Sequence, residues 1–357
     1  MRRRAILWCI ILLGVLFTSC SHKDNEGVDL PKDDKVEDDN HPLSNDIQSV
    51  NNRKFSVWTT YWDIDTIYAE VEYMKDNIEN ISYFAAYFDK DKKPFIPQNT
   101  NETYNHITKA YEENTFGSYL TFVNDVMKAD GTSSLKDTKI LYTLFSTEEA
   151  RENHIDEIIS LAERAGYDGI EIDYEAIKKD IKLWKLYNQF IDKLYEKTLE
   201  KDIPLRIVLE PGTPIDKLTL PEGPEYVVMC YNLYGYGTKP GPKANREFLL
   251  EMVEKMTKLP GKVNFAVAAG GFDFAENGSV GQVTETKAEQ IKQDYNASTY
   301  RDEESQCLVF TYIDKEKVSH EVWYADNSTI QYWFDIIKNA GDYGLSLWRL
   351  GGIEINN

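Results

Sequence analysis

The 357-residue chain carries 60 Asp and Glu against 40 Lys and Arg, a formal net charge of −20. So acidic a balance excludes a nucleic-acid partner, which requires a basic face. With 42% hydrophobic residues and four cysteines, the chain can bury one large core but has no disulfide framework.

In chain order, residues 1–20 stand apart from the rest. Arg2-Arg3-Arg4 precede an apolar run, Ala5 to Phe17, too short to span a bilayer as an ordinary helix. The run ends Leu16-Phe17-Thr18-Ser19-Cys20. This resembles a bacterial lipoprotein signal, in which Cys20 is lipidated and becomes the mature N-terminus. A plain secretory signal is the alternative. A lipid on Cys20 would tether the protein to a membrane without spanning it. Residues 21–51 read as an acidic, disordered tether, with Asp33-Asp34 and Glu37-Asp38-Asp39 and few apolar side chains. Acids directly after the cysteine resemble the surface-export signal of lipoproteins in the Bacteroidetes. The resemblance implies a lipid-anchored protein of the cell envelope, at the outer membrane.

From residue 52 to 357 short apolar strands alternate with helical stretches, as in repeated β-α units. The pattern predicts strands at Phe55–Trp62, Ile81–Phe88 and Lys139–Phe145. Helices are expected at Ile64–Lys75, Phe116–Ala129 and Ala150–Ala165. The fourth strand falls at Gly166–Glu175 and is followed by a helix over Ile181–Lys201. Further strands are expected at Leu205–Leu209, Tyr226–Tyr231, Val263–Ala268 and Gly344–Trp348, with helices at Glu247–Met256 and Ile330–Asn339. Eight units in order fit an α/β fold, a (β/α)8 TIM barrel, whose active site lies at the C-terminal ends of the strands. The segment from Phe274 to Asp326 exceeds one β-α unit. It contains two further strand-like runs, Cys307–Ile313 and Glu321–Tyr324, which read as a small α+β insertion after strand 7.

The fourth strand carries the chemistry. In Asp168-Gly169-Ile170-Glu171-Ile172-Asp173-Tyr174-Glu175, side chains two apart share a face. Ile170, Ile172 and Tyr174 therefore face one way, and Glu171, Asp173 and Glu175 the other. Three acids in line on a buried face disfavour full ionisation, so at least one holds a proton near neutral pH. A protonated acid beside an ionised one is what glycoside hydrolysis uses to protonate a leaving oxygen. An exposed acidic strand is the plain alternative.

Asp168-Gly169-x-Glu171-x-Asp173-x-Glu175 resembles the D-G-x-D-x-D-x-E signature of family 18 glycoside hydrolases, the chitinase and endo-β-N-acetylglucosaminidase family. Glu171 stands where the family has Asp. Met229-Cys230-Tyr231-Asn232 resembles the family's M-x-Y-D motif, with Asn232 in place of Asp. Gly344–Gly351 resembles the eighth strand, whose Trp348 floors the pocket for the N-acetylated sugar. At the third strand, Tyr142–Thr147 departs from the family's Ser-x-Gly-Gly. The resemblance implies hydrolysis of β-linked N-acetylglucosamine glycans, such as chitin oligosaccharides, the N-glycan chitobiose core or peptidoglycan. It implies a retaining, substrate-assisted mechanism, with Glu175 as general acid and base. Asp173 would orient the 2-acetamido group, Tyr231 would hydrogen-bond it, and Glu171 would help hold the Asp173 proton. Tyr61, Phe84, Met229, Asn232 and Trp348 are the expected substrate-binding residues. The content of 23 Tyr and 7 Trp suits ring stacking on sugars, although aromatic residues also fill cores.

Two alternatives stand beside this reading. Glu210, Asp273 or Glu276 could serve as a carboxylate nucleophile opposite Glu175. The same barrel could instead be a non-catalytic, lectin-like glycan-binding protein. No His, Cys and Asp cluster has metal spacing, so neither metal nor cofactor is expected. His106, His154 and His320 read as surface or core residues. Cys230 reads as a buried free thiol on the outward side of its strand. The partner is a glycan, the membrane contact is the lipid anchor alone, and the expected state is a monomer.

Overall fold

The computed structural model describes residues 54–111, 116–127 and 132–355. The signal segment, Cys20 and the acidic tether lie outside the described residues. Eight parallel strands form the centre: Phe55–Thr60, Ile78–Phe88, Gly117–Met127, Gly169–Asp173, Leu205–Leu209, Glu225–Met229, Val263–Ala268 and Gly344–Trp348. Each pairs with its neighbours in sequence. The first also pairs with the eighth, Ser56 opposite Ser346, and so closes the barrel.

Two elements of the third unit are the reverse of the sequence expectation. Gly117–Met127 is the third strand, not a helix, and Thr138–Leu144 is a helix, not a strand. The first run satisfies both periods. Phe116, Leu120 and Val123 recur at helical spacing, while Tyr119, Thr121 and Val123 alternate with Leu120 and Phe122. The barrel decides for the strand, because Leu120 and Phe122 can then bury outward in the main core. The second run buries Ile140, Leu141 and Leu144 on one helical face, and Asp137 caps it by accepting the Lys139 N–H.

The other helices pack outside the barrel. Glu148–Ala165 starts at Thr147, which accepts the Ala150 N–H, and Ile181–Glu200 starts at Asp180, which accepts the Leu183 N–H. The latter helix buries Leu183, Trp184, Tyr187, Phe190, Ile191 and Leu194, in one core with Ile170 and Ile172 of the fourth strand. Each such side chain contributes roughly 1.5–3 kcal/mol on burial. Strand five is followed by only one 3-10 turn, Ile215–Lys217.

The insertion after the seventh strand is larger than the two strands expected. It is a five-stranded antiparallel sheet, whose order is Val280–Val283, Gly270–Ala275, Ser319–Ala325, Leu308–Ile313 and Tyr300–Arg301. With the helix Glu285–Asp294 it has its own small core of Val283, Ala288, Ile291, Phe310, Val322 and Tyr324. The strands missed are short or begin directly at a barrel strand, where no turn residues mark a boundary.

Candidate active site

The acid row has the parity expected from the sequence. Ile170, Ile172 and Tyr174 are buried outward, and His154 bonds the Tyr174 hydroxyl at 2.9 Å. Burial drops the His154 imidazole to about 3, so it is a neutral core residue. Asp168 is a structural acid: it accepts the Ser118 N–H at 2.9 Å and the Ser118 hydroxyl at 2.6 Å, joining strands three and four. Gly169 is required beside it, since a Cβ there would stand 2.5 Å from the Tyr119 ring.

Glu171 is fully buried in the barrel interior. It accepts from Trp58 Nε1 at 2.6 Å, Thr121 Oγ1 at 2.7 Å and Ser82 Oγ at 3.1 Å. Arg206 Nη1 pairs with it at 3.1 Å. Both oxygens are thus engaged away from Asp173, and the extra methylene relative to Asp carries the charge into this layer. Arg206 also bonds Ser82 and Ser346 and lies 3.3 Å from Glu225. Register explains the cluster: Thr121, Glu171, Arg206 and Glu225 are lateral neighbours on successive strands.

Asp173 is 8% exposed, and its Oδ1 has no hydrogen-bond partner among the described residues. Burial pushes its carboxyl well above the usual range, and the charges of Glu175 and Glu171 push it further. Glu175 follows at the strand end, partly exposed. Asn124 holds its peptide from both sides, accepting the Glu175 N–H at 2.9 Å and donating to its carbonyl at 3.1 Å. The Ala176 N–H donates to Glu210 at 3.1 Å. Burial raises the Glu175 carboxyl, against the opposing pull of Lys136, whose Nζ lies 2.6 Å from Oε2. The charges of Glu210 and Asp125 add to the rise. Both carboxyls of the pair are thus raised, Asp173 the further, while the Lys136 ammonium opposes the rise at Glu175.

Sequence reasoning missed Asn124, Lys136 and Arg206. The first two belong to the misassigned third unit, so neither was placed at the rim. The signal for Arg206 was one charged residue within the apolar strand Leu205–Leu209. We expect Lys136→Met to move the alkaline limb of the kcat/KM profile to higher pH. The ammonium favours ionised Glu175, and its loss raises the carboxyl that must stay protonated. A rate–pH series on both proteins checks this; a shift to lower pH would contradict the ion pair.

Tyr231 and Met229 point into the barrel, while Cys230 is a buried free thiol on the outer side. Burial, then the charges of Asp173, Glu175 and Glu171, hold the Tyr231 phenol well above its usual range, which places it beside the acid row. Met229 packs with Trp58, Val208, Val227 and Ala266. The Trp348 ring stands edge-on to Phe84 at 5.0 Å and to Trp58 at 5.8 Å. Trp62, 48% exposed, continues the aromatic wall to Phe84 at 6.1 Å and to Tyr61 at 5.0 Å. Asn232 is exposed and left-handed, with φ +61. The chain after Trp348 is fixed by buried Glu70, which accepts the N–H groups of Gly351, Gly352 and Ile353 at 2.6–3.1 Å. Gly351 and Gly352, at φ +108 and +117, allow this turn.

Of the alternative nucleophiles, Glu210 lies beside Glu175, whose carboxyl its charge raises, and Asp273 lies in the inserted sheet. Glu210 bonds the Ala176 N–H and lies 3.3 Å from Lys178. Asp273 bonds the Tyr312 hydroxyl and His320 in the insertion. His106 stacks on Tyr68. Among the described residues no group of three or more His, Cys, Asp or Glu could hold a metal ion.

Comparison with known proteins bears on the family and the fold. The uncharacterized glycosylase YvbX of Bacillus subtilis is 24% identical over 230 residues, 60% of this chain and 66% of that protein. A cortical fragment-lytic enzyme of Bacillus subtilis is 26% identical over 227 residues, 58% of this chain and 52% of that protein. The chain thus spans between half and two thirds of the length of these curated relatives. A chitinase from Chromobacterium violaceum has the same fold, with a TM-score of 0.70 at 16% identity over 84% of this chain and 95% of that one. The sequence matches the glycosyl hydrolases family 18 over residues 57–352, and the chain belongs to that family.

Proposed function

We propose that the chain hydrolyses β-linked N-acetylhexosamine glycans with retention, using the substrate's own acetamide as nucleophile. The observation that carries this is the Asp173–Glu175 pair at the open end of the fourth strand, where burial raises both carboxyls. Glu175 gives a proton to the glycosidic oxygen as the C1–O bond breaks. The 2-acetamido oxygen bonds to C1 from the opposite face, forming an oxazolinium ion. The Asp173 carboxylate accepts from its N–H, and the Tyr231 hydroxyl donates to its oxygen. Water, deprotonated by Glu175, then attacks C1 and reopens the ring as the β anomer. Tyr61, Phe84, Met229 and Trp348 form the walls and floor for the sugar, with Asn232 at the exposed rim. Glu171 acts through the polar layer beneath Asp173. The names chitinase and cortical fragment-lytic enzyme among similar proteins support an N-acetylglucosamine glycan as substrate.

The test is hydrolysis of chitotetraose, a high-mannose glycopeptide and peptidoglycan fragments, with the first-formed anomer read by NMR. Release of the β anomer from one of them is expected, with no turnover of cello-oligosaccharides, which lack the acetamide. Cleavage of cellotetraose, or an α product, would overturn the mechanism. Binding without turnover would replace it with the glycan-binding reading. We further propose that the protein works as a monomer anchored through lipid on Cys20 at the outer membrane. Palmitate labelling that survives Cys20→Ala would remove the anchor.

A further inference from the structure

A cavity of about 110 Å³ opens beside Trp348, walled by Lys243, Gln282, Thr284, Glu285 and Arg349. Lys243 reaches it from the loop after the sixth strand. That loop folds back on itself, with the Leu233 N–H donating to the Lys243 carbonyl at 2.8 Å. The Lys243 Nζ donates once, to the Ala269 carbonyl at 2.7 Å, and stands 5.4 Å from the centre of the Phe272 ring. Among the described residues no carboxylate pairs with it. An ammonium has three donors, so two remain for whatever enters the cavity.

The other charged walls do not compensate Lys243. Arg349 is taken by Asp63 and by Thr60 Oγ1. Glu285 accepts the Glu354 N–H at 3.0 Å, and burial raises its carboxyl to about 8. No hydrogen bond or ion pair joins it to Lys243 among the described residues. Burial brings Lys243 down to about 8, which leaves it mostly charged at that pH. The cavity thus presents a lysine ammonium bonded only to a carbonyl, in a protein of net charge −20. A desolvated charge without a counter-charge is unfavourable unless a ligand supplies one.

We propose that this cavity is a subsite for a carboxylate carried by the glycan, so that the chain acts on acid-bearing N-acetylhexosamine polymers in preference to neutral chitin. The inference rests on the glycosidase reading above, in which the sugar sits on Trp348. A substituent on that sugar or its neighbour then reaches the Lys243 ammonium. The volume suits a small acid such as the lactyl ether of peptidoglycan. A uronate in the chain would supply the same chemistry.

Three tetrasaccharides separate the cases: chitotetraose, a peptidoglycan tetrasaccharide with free lactyl carboxylates, and a hyaluronan tetrasaccharide. Binding is measured on Glu175→Gln protein and hydrolysis on protein with Glu175 intact. One acidic ligand is expected to exceed chitotetraose roughly ten- to a hundred-fold, the usual range for a charge-assisted contact, and Lys243→Met to reduce that ratio to about two or less. Which acid wins identifies the source of the carboxylate. Methyl esterification of the winning ligand should produce the same loss with Lys243 in place, whether or not the variant folds well. Equal binding of all three, or an acid preference that survives both Lys243→Met and esterification, overturns the subsite. Failure to cleave any of the three, and the high-mannose glycopeptide as well, overturns the glycosidase reading instead, and the binding arm still reads the cavity.

Discussion

Glu175→Gln is expected to lower kcat by roughly a hundred- to ten-thousand-fold, the range that a positioned general acid supplies, while glycan binding survives. The substitution is conservative where it needs to be. Asn124 holds the backbone of residue 175, not its side chain, so the strand end keeps its shape. A glutamine oxygen can still accept from Lys136. What is lost is the exchangeable proton and the carboxylate charge that pairs with Lys136. Single-turnover hydrolysis and binding, measured on the same preparation, check this. Activity within about ten-fold of the unaltered protein, well outside the general-acid range, would mean that Glu175 is not the acid. Weakened binding without a fall in kcat would make it a substrate contact only. Asp173→Asn is the complementary experiment. It replaces the charged acceptor of the acetamide N–H with a neutral amide that cannot balance the oxazolinium charge, so a substrate with its own strong leaving group should not rescue it, whereas such a substrate should partly rescue Glu175→Gln.

Much of this site was legible in the chain because a strand has a period of two. Parity alone put Glu171, Asp173 and Glu175 together and sent Ile170, Ile172 and Tyr174 to the helices. Met229 and Tyr231 followed by the same rule. The third unit was not legible. Leu120, Phe122 and Val123 suit a strand or a buried helix equally, and only pairing with the second and fourth strands decides between them. That one ambiguity hid Asn124, which clamps Glu175, and Lys136, which pairs with it. A capping reading of Asp137 before Lys139 would have exposed the helix and, by exclusion, the strand. The role of Glu171 was hidden for another reason. The motif sets its position beside Asp173, but its partners Trp58, Ser82, Thr121 and Arg206 come from four other strands, a closure that no local pattern encodes.

Arg206→Met is expected to destabilise the barrel by about 3–5 kcal/mol, because it strands buried carboxylates without a counter-charge. Arg206 and Glu171 are both fully buried and 3.1 Å apart, and Glu225 lies on the other side of the guanidinium at 3.3 Å. Methionine fills similar space, so loss of the charge dominates over loss of volume. Trp58 and Thr121 would still bond Glu171, but neutral donors do not replace an ion pair at that depth. In a domain of this size the melting temperature should fall by roughly ten degrees. The double variant Arg206→Met with Glu171→Gln separates the pair from simple crowding. If the guanidinium acts through Glu171, the second substitution recovers part of the stability lost to the first, and the coupling lies well above the few tenths of a kcal/mol seen for independent sites. Additive losses would place the effect of Arg206 in its packing against Trp58 and Tyr119, whose rings lie 5.6 and 5.4 Å from the guanidinium carbon. The same pair of variants reports on the acid row above. The charge of Glu171 adds to the raised Asp173 carboxyl, so Glu171→Gln alone should lower that carboxyl towards its ordinary range. A carbon-13 NMR titration of that carboxyl would show the shift directly, and a rise on Glu171→Gln would contradict the link between the polar layer and the site.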